Sequence, residues 1–244
     1  MAYGAINEVG DSIRKSYDYV KSLDGSLNDI RIVTEKSADE MERFARSANR
    51  AAKEIGVSTK AYTDASLIYY QQGLGDAEAQ ERARITSIAS NITGQSTSEV
   101  SEQLTAIWNG YKVDAAEAEL YIDKVAKVAA QTGADLEELA TGMSKVASAA
   151  NVVGVDVDQL NAQLATVITV TRQAPESVGT AFKTIYSRIN AIEAGSEDAE
   201  TSLKQYTADM KAYGFSVLDT NGKLRDTGEI IEEIGGKWEN LTKE

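Results

Sequence analysis

The chain has 244 residues, 42% of them apolar and 26% charged, which is the balance of a packed globular protein rather than of a disordered one. It contains no cysteine and no histidine, so disulfides, thiol nucleophiles, histidine bases and histidine metal sites are excluded within it. With 25 basic against 38 acidic residues the formal charge is −13, which opposes generic binding to nucleic acid or anionic lipid.

A compact chain of this length buries roughly 70% of its unfolded surface, enough for a core without metals or disulfides. A single proline, Pro175, few aromatic residues and abundant alanine favour helices over sheets. The opening residues, Met1 to Val9, lack a basic start followed by an apolar block, and the apolar stretch around Leu164 to Val170 is too short to span a bilayer. Synthesis in the cytoplasm is the expectation.

Between Ile6 and Ile55 a seven-residue register holds throughout. One core row is Ile6, Ile13, Val20, Leu27, Thr34, Met41, Ala48 and Ile55, and the other is Val9, Ser16, Leu23, Ile30, Ser37, Phe44 and Ala51. All but Thr34, Ser16 and Ser37 are apolar, so residues 1–56 are expected to form a coiled-coil-like helical arm. Periodicity does not choose between one long rod and a hairpin folded on its own domain. Asp24-Gly25 is a possible break, and Ser37 with Glu40 has the form of a capping box that opens a new helix. Ile13, Val20, Leu27, Met41 and Phe44 are the candidate self-association residues of this seam.

From Gly56 to about Met210 the pattern changes to short amphipathic helices with recurring punctuation. Gly56-Val57-Ser58, Gly94-Gln95-Ser96, Gly133-Ala134-Asp135 and Gly154-Val155-Asp156 each place a glycine suited to a left-handed helix end two residues before a Ser or Asp suited to cap the next helix. Their spacing is too irregular for a solenoid, and a multi-helix globular domain over 57–212 is expected. Within it Leu160, Leu164, Val167 and Ile168 form one apolar face, and Phe182, Ile185, Tyr186 and Ile189 form another after Pro175, a residue suited to a helix's first turn.

Residues 213–244 read differently. Phe215-Ser216-Val217-Leu218 and Lys223-Leu224-Arg225 flank Asp219-Thr220-Asn221-Gly222, a pattern that predicts a small β-hairpin. A closing helix from about Thr227 to Leu241, with Ile230, Ile231, Ile234 and Trp238 on one side, is expected to cover it. The predicted fold class is therefore mostly α, with an arm, a helical domain and one C-terminal hairpin followed by a helix.

Several constellations imitate chemistry without supporting it. Asp219 to Lys223 resembles the start of a calcium loop, but Gly222 falls at the fourth position and Ile230 stands at the twelfth, where an acid is needed. Glu137-Glu138 and Glu232-Glu233 are adjacent pairs that point about 100° apart on a helix, which does not suit a glycosidase pair. Arg43, Arg46, Arg50 and Lys53 make a basic stripe, with Asp39, Glu40, Glu42 and Glu54 close enough to neutralise it. Trp108, Tyr111, Tyr69, Tyr70 and Trp238 lack the interleaved Lys and Arg of a base-stacking platform and read as core or groove residues. Gly73-Leu74-Gly75-Asp76 lacks the further residues of a dinucleotide or phosphate loop and reads as a linker. No catalytic residue, metal ligand or cofactor is expected, and the chain is read as a non-enzyme.

One family likeness runs through these segments in order. Thr132-Gly133-Ala134-Asp135-Leu136-Glu137-Glu138-Leu139, Ala149-Ala150-Asn151-Val152-Val153-Gly154-Val155-Asp156, Val178-Gly179-Thr180-Ala181-Phe182-Lys183, Ser187-Arg188-Ile189 and the Gly214 to Asp226 segment resemble the core region of phage tail tape measure proteins. The resemblance covers about residues 45–241, and departs from the family at Thr171 to Glu176, where a glycine-rich turn is more usual. It implies a structural protein of the virion tail lumen, made in the host cytoplasm, that sets tail length and leaves during genome ejection. The implied partners are copies of itself, as trimer or hexamer, the tail tube protein and tail assembly chaperones, with no nucleic acid or membrane. A helix of 244 residues would span only roughly 370 Å, so a segment of a longer ruler or a short relative is expected. The rival reading from the residues alone is a cytoplasmic helical adaptor that binds a partner helix.

Overall fold

A computed structural model describes residues 2–193, 207–208, 211–212, 214–221, 223 and 225–233, with residues 2–10, 115–116 and 191–193 described by their backbone. Among the described residues, nine helices run in chain order up to residue 193: α1 (Ala2–Thr34), α2 (Ala38–Glu54), α3 (Thr59–Gln71), α4 (Asp76–Thr93), α5 (Thr97–Tyr111), α6 (Ala115–Ala129), α7 (Leu136–Val152), α8 (Val157–Thr171) and α9 (Pro175–Glu193). A further helical segment covers 227–233. No helix among the described residues is long and apolar enough to cross a membrane.

The helix boundaries follow the punctuation residues. Gly56, Gly94 and Gly154 have φ of 73°, 76° and 77°, and Ser58 and Asp156 accept the free N–H groups of Ala61 and Gln159 at the helix starts that follow. Ser37 with Glu40, Ser96 with Glu99, and Asp135 with Glu138 each form reciprocal side-chain and backbone bonds. Pro175 opens α9. Two expectations fail locally. The helix α1 runs unbroken through Asp24-Gly25, because one exposed glycine inside a long helix costs only about 1 kcal/mol. Gly133 does not end α6 in a left-handed turn: it packs against the Thr169 and Arg172 side chains, close enough that a Cβ would lie 3.0 Å from Thr169 Cγ2.

The chain divides into two compact units, Met1–Leu104 with Asp114–Glu119, and Thr105–Val113 with Leu120–Glu244. In the first unit α3 is the common partner of α1, α2 and α4. Small buried residues, Ala65 and Ser66 on α3 and Ala79 and Ala83 on α4, fit the close packing of these two helices. Tyr69 and Thr86 share a buried hydroxyl hydrogen bond of 2.5 Å, and Tyr62 donates to the Gln80 carbonyl. Phe44 meets the Tyr70 ring edge-on at 5.9 Å. The buried Arg82 is paired with Glu78 one turn earlier at 2.9 Å.

In the second unit α7 is the common partner. At the crossing with α9 a Cβ on Gly179 would lie 2.3 Å from the Gly142 carbonyl oxygen, so only glycine permits the approach. On another side of α7, a Cβ on Gly110 of α5 would lie 2.7 Å from both Ala147 Cβ and Ser148 N. Leu139, Met143, Leu160, Leu164, Ile168 and Tyr186 are fully or almost fully enclosed in this unit. Asn161 donates to the Lys124 carbonyl and Asn151 to the Gly110 carbonyl, two amides that tie helix backbones together. At Thr171 to Glu176 the departure from the family pattern is met by Arg172, which takes a left-handed φ of 55° at the end of α8 and donates to the Gly133 carbonyl.

The predicted β-hairpin is not supported, for no strand occurs among the described residues, and Gly222 and Leu224 of the predicted hairpin lie outside them. Phe215 and Val217 are buried while Ser216 is exposed, so the two-residue alternation is real, in a segment that is assigned to no strand. Among the described residues the Asp219 N–H donates to the Lys223 carbonyl and the Arg225 N–H to the Val217 carbonyl. The Asp219 carboxylate takes the N–H groups of Asn221 and Lys223 at 2.8 Å each, satisfying locally the donors that a ladder would have used. The following helical segment buries Ile230 and brings Gly228 against the Gln159 side chain, while Ile234 and Trp238 lie outside the described residues.

The titrating groups bracket neutrality. The Ser37 hydroxyl and backbone N–H hold Glu40 below its ordinary 4.5, Ser96 does the same for Glu99, and Lys36 leads the lowering of Asp76 from 3.8. Burial pushes the Tyr62 hydroxyl up to about 12 and also raises Tyr70, Tyr111 and Tyr186 from 10.0. Lowered acids contribute stability above their ordinary values that is lost as the pH falls through the lowered ones. Raised tyrosines contribute stability below their ordinary value that is lost as the pH rises through the raised ones. With no histidine between them, the thermal midpoint is expected to stay level from about pH 6 to 9 and to fall on both sides. A step near pH 7 in a thermal-melt series would contradict this.

Candidate functional site

The chemistry-like constellations are placed as structural residues. Trp108, Tyr69 and Tyr70 are buried, Glu138 caps α7, Glu233 pairs with Arg225 at 2.7 Å, and Gly73 to Asp76 links α3 to α4. Of the basic stripe on α2, Arg46 pairs with Glu42 at 2.6 Å, one turn away. Among the described residues no group of three or more acids is arranged to hold a metal ion. What remains is a pair of surfaces, one in each unit.

The first surface is the upstream part of the α1 stripe. Ile13, Tyr17 and Val20 recur at intervals of four and three, one face of a helix, and are 66%, 65% and 63% exposed. Leu27 further along is half-buried and Ile30 fully buried, because from about Tyr19 onward α1 lies on α3. Tyr19 Oη accepts the Lys60 N–H there, and Ser26 donates to Asp64 at 2.6 Å. Met41 and Phe44 are buried in the core of the first unit. The five seam residues therefore do not share one surface. The seven-residue register is continuous in sequence, but the turn at Glu35 to Ser37 folds α2 back onto α3 and uses its part of the stripe internally.

The second surface was not legible as a motif. Along α7, between α5 and α9, lies an open groove of about 530 Å³. Ser144, Lys145, Ser148 and Ala149 of α7 line it, with Ala106 and Gly110 on the α5 side and Lys183 and Tyr186 on the α9 side. The Tyr186 hydroxyl is turned inward and donates to Gln163. Neither Lys145 nor Lys183 has an acid three or four positions away in sequence, and neither forms an ion pair among the described residues. Lys53, Lys112, Lys124 and Lys211 lack such an acid as well, so the sequence alone does not single out the groove.

The family described as phage-related minor tail protein matches residues 22–244. The chain belongs to that family. The match takes in the last part of α1, from Ser22, and everything after it, including both lysines of the groove, whereas Ile13, Tyr17 and Val20 lie upstream of it. No solved structure matches the chain. As a phage-related minor tail protein the chain is a component of the virion tail, and a member of such an assembly works through the faces it offers to other proteins.

The two halves of the α1–α2 stripe are expected to respond oppositely to substitution. Phe44→Ala removes a buried ring and should destabilise the fold by about 3–5 kcal/mol in denaturant unfolding. Ile13→Asp with Val20→Asp should change it by no more than about 0.5 kcal/mol per site, since both side chains already face solvent. Equal losses for the two variants would show that the upstream stripe is covered within the chain.

Proposed function

We propose that this minor tail protein is a tape measure segment: a non-enzymatic structural chain that sets tail length, scaffolds tube assembly from the lumen, and leaves during genome ejection. The upstream part of α1, with Ile13, Tyr17 and Val20, acts as the association face, and the helices that follow act as the core. It is made in the host cytoplasm and assembles with copies of itself, the tail tube protein and tail assembly chaperones. Neither nucleic acid nor membrane is a partner, in keeping with the charge of −13.

The observation that carries this reading is the exposed stripe of Ile13, Tyr17 and Val20 on a helix of 33 residues in a chain of the tail family. An apolar row at helical spacing left open to water favours burial against another helix. A second copy suits it, because Ser12, Tyr17 and Tyr19 beside the seam are uncharged, so two arms meet without like-charge repulsion. Ser16, the polar residue of the seam, already donates to the Ser12 carbonyl at 2.9 Å and brings no unmet donor into such a contact. The ordered likeness to tape measure cores adds the ruler itself.

Sedimentation velocity should show concentration-dependent assembly that Ile13→Asp with Val20→Asp abolishes, and a monomer at all accessible concentrations would remove the self-association. In phage, an in-frame deletion inside the protein should shorten tails in electron micrographs by about 1.5 Å per residue removed. Tails of unchanged length would overturn the ruler.

A further inference from the structure

The groove between α5, α7 and α9 has a charge opposite to that of the molecule around it. Its lining holds Lys145 and Lys183 and no acid, although the whole chain carries 13 more acids than bases. Two like charges that share a groove without carboxylates leave an electrostatic demand that a negative partner meets. The floor is small, with Ala106, Gly110, Ser148 and Ala149, so a backbone can approach it closely. Gly110 and Gly179 fix that floor, since both neighbouring helices are held on α7 at distances that admit no Cβ. Val152 at the end of α7 also lines the groove and is 59% exposed, which provides an apolar contact beside the charged ones.

We propose that this groove receives an acidic helix of a partner protein, with its carboxylates on Lys145 and Lys183 and one apolar side chain against Val152. The chemistry specifies the occupant. Three helices with a small-residue floor leave a trough suited to a fourth helix, about 10 Å across with its side chains. Ser148 and Ser187 add hydroxyl groups beside the two ammonium groups. The inference depends only on the geometry of the second unit, and it stands or falls separately from self-association through α1.

The test uses the full chain and a capped, alanine-based helical peptide with glutamates at i and i+4, titrated by calorimetry at low salt. Binding is expected, with at least a roughly tenfold loss in the Lys145→Glu, Lys183→Glu double variant. The Lys53→Glu, Lys127→Glu variant makes the same change of net charge outside the groove and should bind as the parent does. A glutamine version of the peptide should not bind. Circular dichroism melts that match the parent show that the variants are folded, so a loss of binding is then a loss of the site.

Equal weakening in both double variants would reduce the effect to overall charge and overturn the proposal. So would equal binding of the glutamine peptide, or displacement of the glutamate peptide by inorganic phosphate at the same concentration, which would make the groove an anion site. Self-association abolished by Lys145→Glu with Lys183→Glu would place a second copy in the groove and would likewise overturn it.

Discussion

The second unit depends on how closely two helices can approach α7. Backbone lies against backbone at Gly179 and Gly142, and at Gly110 beside Ala147 and Ser148, where a single methyl group would collide. Glycine inside a helix costs about 1 kcal/mol relative to alanine, a cost that the packing of α5 and α9 on α7 must offset. The return is visible in the enclosed row of Met143, Val146, Leu164 and Tyr186, which would be held apart from their neighbours by larger residues at the crossings. The groove follows from the same contacts, because helices pinned at one crossing leave a trough where they diverge.

The first unit solves its packing with different residues. There Ala65, Ser66, Ala79 and Ala83 keep α3 and α4 close, and tyrosine hydroxyls reach across to a carbonyl and to a threonine. In both units helix starts are closed by hydroxyl or carboxylate caps rather than by packing. The chain carries no histidine side chain to change charge near neutrality. Its chemistry lies in where side chains are left uncovered: an uncharged apolar row on α1, and a lysine-bearing trough along α7.

Local signals in the sequence proved readable where the physics is local. Ser37 with Glu40, Gly56 with Ser58, Gly94 with Ser96, and Gly154 with Asp156 are each satisfied within a few residues, so composition and spacing suffice to place them. Gly133 and Gly179 were legible only as glycines, because their reason lies in Thr169, Arg172 and Gly142, each more than 30 positions away. The alternation of Phe215, Ser216 and Val217 suggested a ribbon, whereas no strand occurs among the described residues and the Asp219 carboxylate accepts the N–H groups of Asn221 and Lys223. The heptad from Ile6 to Ile55 could not reveal its own division, since the same apolar spacing serves Phe44 inside the unit and Val20 on its surface. The groove left no trace in the sequence, because its two lysines share their lack of helical acid partners with Lys53, Lys112, Lys124 and Lys211 and meet only in the fold.

The most direct test of the glycine-governed packing is the unfolding free energy of Gly179→Ala beside that of Gly25→Ala. A Cβ at Gly25 would meet nothing within 4 Å, so alanine there should stabilise the chain by about 0.5–1 kcal/mol through helix propensity alone. At Gly179 the same gain in propensity is opposed by a clash with the Gly142 carbonyl at 2.3 Å, and a net loss of about 1–3 kcal/mol is expected. If both substitutions stabilised the protein, α9 would not be held on α7 in the way described, and neither the core of the second unit nor its groove would stand.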